Sequence, residues 1–138
     1  MNNHLTSLEL SKKLKELGVK QDSEFYWIDG ELLTQKEIVL IQLRIKAYPK
    51  ANKIYIYSAF LSSELGDELP EFLPGPNGDW GGWSLVISKH SDMNGYTEWS
   101  IGYQKGAAQL KLEKIADTEA DARAEMLVYL IENNLKTQ

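Results

Sequence analysis

The chain has 138 residues, no cysteine and a formal net charge of -5, from 20 acidic and 15 basic residues. This length fits one domain spanning residues 1–138, and the lack of cysteine excludes disulfides, thiolate chemistry and cysteine zinc sites. The acidic balance argues against duplex nucleic acid as a partner. No apolar run is long enough to cross a membrane and the N-terminus lacks a signal-peptide pattern, so we expect a cytoplasmic protein without membrane contact.

The first part of the chain predicts a helix and a hairpin. Leucines recur over residues 7–17, and Gly18 follows them, as is typical of a helix C-terminus. An aromatic run at residues 24–28 is followed by Asp29-Gly30, which is the strongest short hairpin signal. We therefore expect a helix and then a hairpin whose second strand covers residues 31–33.

Residues 34–48 carry two conflicting patterns. Thr34 and Glu37 have the spacing of a capping box, and Pro49 stops a helix before it. Strict alternation of apolar residues instead indicates a strand, at Val39, Ile41, Leu43 and Ile45. The cap favours a helix, and the sequence leaves the strand open.

The middle of the chain predicts a strand, a short helix and a loop. Lys53–Tyr57 alternates as strands do, and Ser62–Leu69 predicts a helix that stops at Pro70. Prolines and glycines then crowd residues 71–82, which we expect to form a loop.

The remaining sequence predicts an antiparallel meander. A strand that starts at Trp83 turns at residues 91–95 into a second strand over residues 97–103, and residues 108–113 predict a third. In each strand, alternate residues form one apolar face. A helix follows immediately and would cover that face.

This last helix is expected over residues 117–134. Asp117 or Thr118 can cap it, Asp121 has the spacing of a capping box, and Asn133-Asn134 is a plausible end. Its apolar stripe is Ala120, Ala124, Leu127, Ile131 and Leu135, widened by Met126, Val128 and Leu130. The predicted class is therefore α+β: an antiparallel sheet of about four to five strands with helices packed on one face, covered by a long C-terminal helix.

Three stretches carry a family resemblance. They are SLELSKKLKELGVKQDSEFYW at residues 7–27, YSAFLSSELGDELP at 57–70 and ADTEADARAEMLVYLIEN at 116–133. Together they resemble a family of small, uncharacterised proteins of bacteriophage and prophage genomes, in which Thr stands where this chain has Leu61. That departure moves the expected helix cap to Ser62. The resemblance implies a phage setting in the cytoplasm of a bacterial host, and it carries over no catalytic residue.

Candidate catalytic and metal-binding residues are few. His90, Ser91 and Asp92 are neighbours in one turn, whereas a catalytic triad needs groups that converge from separate elements. Asp92, Asn94 and Gly95 resemble part of a calcium loop, but ordinary turn chemistry accounts for them. There is no phosphate-binding glycine motif, and no motif brings two carboxylates together across a cleft. The sequence predicts no catalytic residue, no metal ligand and no cofactor.

Turn and core patterns explain the segment around Trp80 least well. Trp80 lies in a polar, glycine-rich stretch that cannot easily bury it, and loop aromatics often mark recognition sites. One hypothesis is contact with a ligand or partner through Trp80, Trp83, Trp99, Tyr96 and Trp27. The simpler explanation, which the sequence favours, is that Trp80 folds back as a lid over the core.

Three functions follow from these observations. The first is a non-enzymatic interaction module that binds a protein partner or a second copy of itself. The second is a protein that sequesters a small molecule in an aromatic-lined pocket around Trp80, Trp83 and Trp99, and the third is a small hydrolase. An exposed apolar patch would favour the first and an enclosed pocket the second. A cleft with two convergent groups of shifted pKa would favour the third.

Overall fold

The computed structural model describes residues 4–47, 56–73, 83–104 and 112–135, with the backbone alone for residues 44–47 and 72. The described helices are α1 (Leu8–Glu16), α2 (Gln35–Ala47), α3 (Ser62–Glu68) and α4 (Glu119–Glu132). The described strands are β1 (Phe25–Ile28), β2 (Glu31–Thr34), β3 (Ile56–Ala59), β4 (Phe72–Leu73), β5 (Trp83–Ser91), β6 (Thr97–Gln104) and β7 (Leu112–Ala116). None of the described helices has the length and apolar character needed to cross a membrane.

The strands form two antiparallel sheets, where the sequence predicts one. The first sheet has the order β2-β1-β3, and the second has the order β4-β5-β6-β7, in which β4 is only two residues long. The α+β class is confirmed, and the single sheet of four to five strands is confirmed only in part. Local patterns indicate which segments are strands, but strand pairing depends on contacts between segments far apart in the chain.

Helix α1 begins and ends where the sequence predicts. The Ser7 hydroxyl accepts a hydrogen bond from the Leu10 N–H over 3.4 Å. Gly18 adopts a φ of +85°, and the Val19 N–H donates to the Leu14 carbonyl over 3.0 Å. This left-handed termination is a Schellman motif, and it is reinforced because Val19 and Leu14 are both buried.

The first sheet is built on the predicted hairpin. Asp29 and Gly30 both have positive φ, as the two-residue turn between β1 and β2 requires. On the other side of β1 lies β3, whose outer edge is occupied by side chains. The Gln21 carbonyl oxygen accepts the Ser58 N–H, and the Lys15 ammonium donates to the Ile56 carbonyl, each over 2.8 Å. Strand β2 forms the opposite edge of the sheet.

The start of helix α3 differs from the expectation. Ser62 is already inside the helix, and the cap position is held by Leu61, which has no side-chain acceptor. The Glu64 carboxylate fixes this start by accepting the Leu61 N–H over 3.4 Å and the Glu24 N–H over 3.3 Å. The Ser62 hydroxyl is buried and finds no hydrogen-bond partner among the described residues. The prediction of Ser62 as the cap is therefore wrong.

The second sheet contains the predicted meander. The Asp92 carboxylate accepts the N–H groups of Asn94 and Tyr96, each over 2.9 Å, and Gly95 has a φ of +84°. These contacts form the turn between β5 and β6. Strand β7 extends beyond the predicted third strand to residue 116, and residues 108–111 lie outside the described residues.

Two strand boundaries differ from those that the sequence predicts. Phe72 and Leu73 lie within the predicted loop but form β4, which pairs with the start of β5. Strand β3 covers residues 56–59, two residues beyond the predicted end, and residues 53–55 lie outside the described part of the chain. Both additions are edge pairings, for which a local pattern of two to four residues is too short to give a signal.

Helix α4 lies at the centre of the core. It packs against β6, β7, α1 and α3. Its buried residues are Ala120, Ala122, Ala124, Met126, Leu127 and Leu130. The predicted stripe includes all of these residues except Ala122, which is also buried because a helix with neighbours on several sides buries more than one face. Leu135, predicted to be buried, is 44% exposed.

The ends of α4 follow the predicted chemistry with one change. The Thr118 hydroxyl accepts the Asp121 N–H over 3.2 Å, which makes Thr118 the cap. The Asp121 carboxylate reaches to the N–H of Ser7 over 2.8 Å instead of turning back to Thr118. Asn134 adopts a φ of +57° just beyond the helix, as Asn at a helix end can.

Candidate functional site

Residues 35–47 form a helix, which is the outcome that the cap favours. The Thr34 hydroxyl donates to the Glu37 carboxylate over 3.2 Å, and the Gln35 N–H donates to the Glu24 carbonyl over 3.0 Å. These bonds turn the chain out of β2 at its last residue. Ile38 is 4% exposed and anchors the helix, which packs on β1 and β2.

Three large aliphatic side chains are exposed on one face of α2. Val39 is 49% exposed, Leu40 67% and Leu43 59%. At about 100° per residue, their positions fall within an arc of about 100° on the side of the helix away from Ile38. We call Val39, Leu40 and Leu43 the α2 stripe.

Sequence analysis did not identify the α2 stripe, although a signal for it exists. Six of the eight residues 38–45 are apolar. A helix that packs on the body of a protein through one face buries only the side chains on that face. Some of these six apolar residues must therefore be exposed. The spacing of Val39, Ile41, Leu43 and Ile45 at every second position instead left a strand open as the alternative to a helix.

Among the described residues, the predicted aromatic side chains do not converge on one site. Trp27 donates its indole N–H to the Thr6 carbonyl over 3.0 Å and is half-buried, which is a structural role. Trp83 starts β5, where it is half-buried against the core and pairs in register with Leu73. Trp80 lies outside the described residues.

Trp99 and Tyr96 lie together at one end of the second sheet. The Lys89 ammonium is 5.5 Å from the centroid of the Trp99 ring, and the Tyr96 hydroxyl donates to the Asp117 carboxylate over 2.8 Å. That hydrogen bond, with the charge of Asp117, raises the pKa of Tyr96. Trp99 lines an open cleft of about 280 Å³, the Trp99 cleft, with His4, Lys89, Thr97, Asp117, Thr118 and Glu119.

Trp83 and Trp99 are too far apart to line one small pocket. Trp99 pairs in register with Lys89, which is six residues from Trp83 along β5. At about 3.4 Å per residue, this places the two tryptophans about 20 Å apart along the sheet. A small ligand in the Trp99 cleft therefore does not reach Trp83.

A second open cleft lies against α4 and contains a perturbed carboxyl group. It measures about 400 Å³ and is lined by Leu10, Lys114, Glu125, Val128, Tyr129, Glu132 and Asn133. Burial, followed by the charge of Asp121, raises the pKa of Glu125, and the charge of Lys114 opposes this. Glu125 and Glu132 are seven residues apart on one helix, so their backbones are separated by about 10.5 Å.

The turn residues have structural partners. Asp92 holds the turn after β5, and the Ser91 hydroxyl lies 3.2 Å from the Thr97 hydroxyl. His90 is exposed on β5, in register with Glu98. Within the described residues, no group of three or more His, Asp or Glu side chains could hold a metal ion.

Comparison of the chain with protein-family models, with curated proteins and with solved structures finds no match. Function is therefore argued from two surfaces of the described residues, the α2 stripe and the Trp99 cleft.

Proposed function

We propose that the protein is a non-enzymatic interaction module, encoded by a phage or prophage, that binds a protein partner through the α2 stripe. The observation that carries this proposal is the exposure of Val39, Leu40 and Leu43 on a single helix face. Scattered apolar residues are normal on protein surfaces, but adjacent large ones mark interaction sites.

The arrangement of α2 supports this role. Ile38 supplies the buried contact with the body, whereas Leu40 and Leu43 leave more than half of their surface in water. A helix that is apolar on its outer face as well as its inner face belongs in the interior of a protein or of an assembly. A partner that covers Leu40 and Leu43 would remove from water the surface that is now exposed, at a gain of about 25 cal/mol for each Å².

The test is the double variant Leu40→Gln/Leu43→Gln, with Ile115→Gln as the matched control. Ile115 is also a large aliphatic residue, 48% exposed, on β7. We expect the double variant to stay folded, with a free energy of unfolding within about 0.5 kcal/mol of the parent, since both positions are on the surface. Native mass spectrometry of protein purified from its natural host should show a partner complex for the parent and the control only.

Two outcomes would count against the proposal. If the double variant loses several kcal/mol of unfolding free energy, the α2 stripe belongs to the core. If all three proteins carry the same partner, the contact lies on another surface.

A second candidate function, small-molecule binding, is supported only by the Trp99 cleft. An indole face with a cation 5.5 Å from its centroid, beside the carboxylate of Asp117, suits a polar ring such as a sugar. Loss of a co-purifying small molecule in Trp99→Ala, with the fold retained, would favour this function. A hydrolase is not proposed, because the described residues show no pair of carboxyl groups in a catalytic geometry.

A further inference from the structure

The charge of the α2 region is opposite to that of the rest of the chain. Helix α2 contains three basic residues, Lys36, Arg44 and Lys46, and the single acidic residue Glu37. It therefore has a net charge of +2. Since the whole chain carries -5, the other 125 residues together carry -7. The large exposed aliphatic face described on α2 thus lies on a basic helix.

The basic residues also flank the α2 stripe. Lys36 is exposed and falls within the same arc of the helix as Val39, Leu40 and Leu43. On an ideal helix, positions 44 and 46 fall just outside the two sides of that arc. Positions 36, 39, 40 and 43 have the spacing of a helix that lies in a groove of a partner. Charges at the rim of such a contact set partner choice and association rate.

We infer that the partner surface is an acidic protein groove with an apolar floor, and this inference rests on the proposed function. The floor takes the α2 stripe, and the acidic rim faces Lys36. Charge complementarity is the argument for this occupant. A symmetric contact between α2 helices of two copies would instead bring two helices of net charge +2 together.

Other anionic surfaces fit less well. An anionic lipid surface or a nucleic acid is extended, so it meets the rest of the protein, whose net charge is -7, as well as α2. A groove meets α2 alone. Phosphate backbones also offer no apolar floor to Leu40 and Leu43.

The experiment places a photo-crosslinking phenylalanine derivative at position 40 of the full chain in its natural host. The same substitution at Met93, which is fully exposed in the turn after β5, is the control. We expect a protein adduct from position 40 and none from position 93. Mass spectrometry of the adduct should find the crosslink beside several Asp or Glu residues of another protein.

Charge reversal provides the second measurement. Lys36→Glu/Lys46→Glu changes one charge at each end of the helix, so its effects on the helix dipole oppose each other. We expect it to lower the adduct yield about tenfold at low salt, and raised salt to lower the parent's yield similarly. Lys12→Glu/Lys20→Glu makes the same change of net charge on exposed residues outside α2 and should leave the yield unchanged.

The outcomes separate the inference from the proposed function. If the adduct forms with a neutral or basic surface and its yield does not depend on salt, the acidic groove is overturned but an interaction through α2 remains. An adduct with a second copy of this chain has the same meaning. Absence of any position-40 adduct, together with binding of the purified protein to vesicles of phosphatidylglycerol, overturns both. Equal adducts from positions 40 and 93 also overturn both.

Discussion

The Asp121 carboxylate accepts the N–H of Ser7 over 2.8 Å, so the first turn of α4 is bound to the residue that caps α1. These two residues are 114 positions apart in the chain. The N-terminal end of a helix dipole favours a carboxylate, and the backbone N–H groups of a helix start need acceptors. One side chain meets both needs, and it joins the two helices.

Replacement of Asp121 tests this contact. Asp121→Asn removes the charge and weakens the bond to Ser7, and we expect a loss of about 1–2 kcal/mol in the free energy of unfolding measured with urea. Glu9→Gln is the control, because Glu9 is an exposed acidic residue in the first turn of α1. Equal losses of unfolding free energy in the two variants would mean that the helix dipole, and not the bond to Ser7, accounts for the effect.

Gly66 tests the packing between α3 and α4. A Cβ atom at Gly66 would lie 2.7 Å from a terminal nitrogen of Arg123, whose guanidinium also binds Glu119 over 2.8 and 3.1 Å. In an open helix, Gly→Ala stabilises by about 1 kcal/mol. Here we expect Gly66→Ala to be neutral or destabilising, because the guanidinium must leave Glu119.

A double-mutant cycle isolates that contact. In an Arg123→Ala background the obstacle is absent, so Gly66→Ala should recover the gain of about 1 kcal/mol. Urea unfolding of the four proteins gives the coupling energy. A gain of the same size in both backgrounds would show that Arg123 moves aside freely.

Tyr103 predicts a loss of stability at alkaline pH. Burial raises the pKa of Tyr103 to about 12, and its hydroxyl donates to the Pro70 carbonyl over 2.7 Å. The folded state therefore holds this proton more tightly than the unfolded state, whose pKa is 10.0. The resulting stability is complete below pH 10 and is lost between pH 10 and 12, by up to about 3 kcal/mol.

The variant Tyr103→Phe separates the contribution of the hydrogen bond to Pro70 from that of the raised pKa. At pH 7 it should cost about 1 kcal/mol, since the Pro70 carbonyl loses its donor. The variant should also lose less stability than the parent between pH 9 and pH 11. Unfolding with urea at these pH values measures both effects, and parallel pH profiles would contradict the role of Tyr103.

Glu125 predicts a pH dependence on the acidic side. Burial raises its pKa above 4.5, so the folded state binds this proton more tightly than the unfolded state. Stability from this group is present below pH 4.5 and declines as the pH rises through the raised value. Glu125→Gln should therefore be more stable than the parent at pH 7, and the advantage should disappear at pH 3.5. The exposed Glu16→Gln is the control.

Local chemistry predicted the helix ends and the turns. Gly18, Asp29-Gly30, Asp92, Thr118 and Asn134 each have one favoured backbone role, and the structure places each in that role. Such residues act within four positions along the chain, so their neighbours in sequence are sufficient to predict them.

Contacts between distant segments were not predictable in this way. The separation into two sheets depends on β3 pairing with β1, and the cap of α3 depends on Glu64 reaching Glu24 as well as Leu61. The α2 stripe was missed because exposure depends on what packs against a helix. The composition of residues 38–45 indicated an excess of apolar side chains, but it did not indicate which ones the body would cover.

The position of α4 has a consequence for biosynthesis. Every element that it packs against, from α1 to β7, is synthesised before α4. At about 5–20 residues per second, the apolar surface of α1 that meets α4 waits several seconds for it on each nascent chain. The core can therefore close only after α4 has been synthesised.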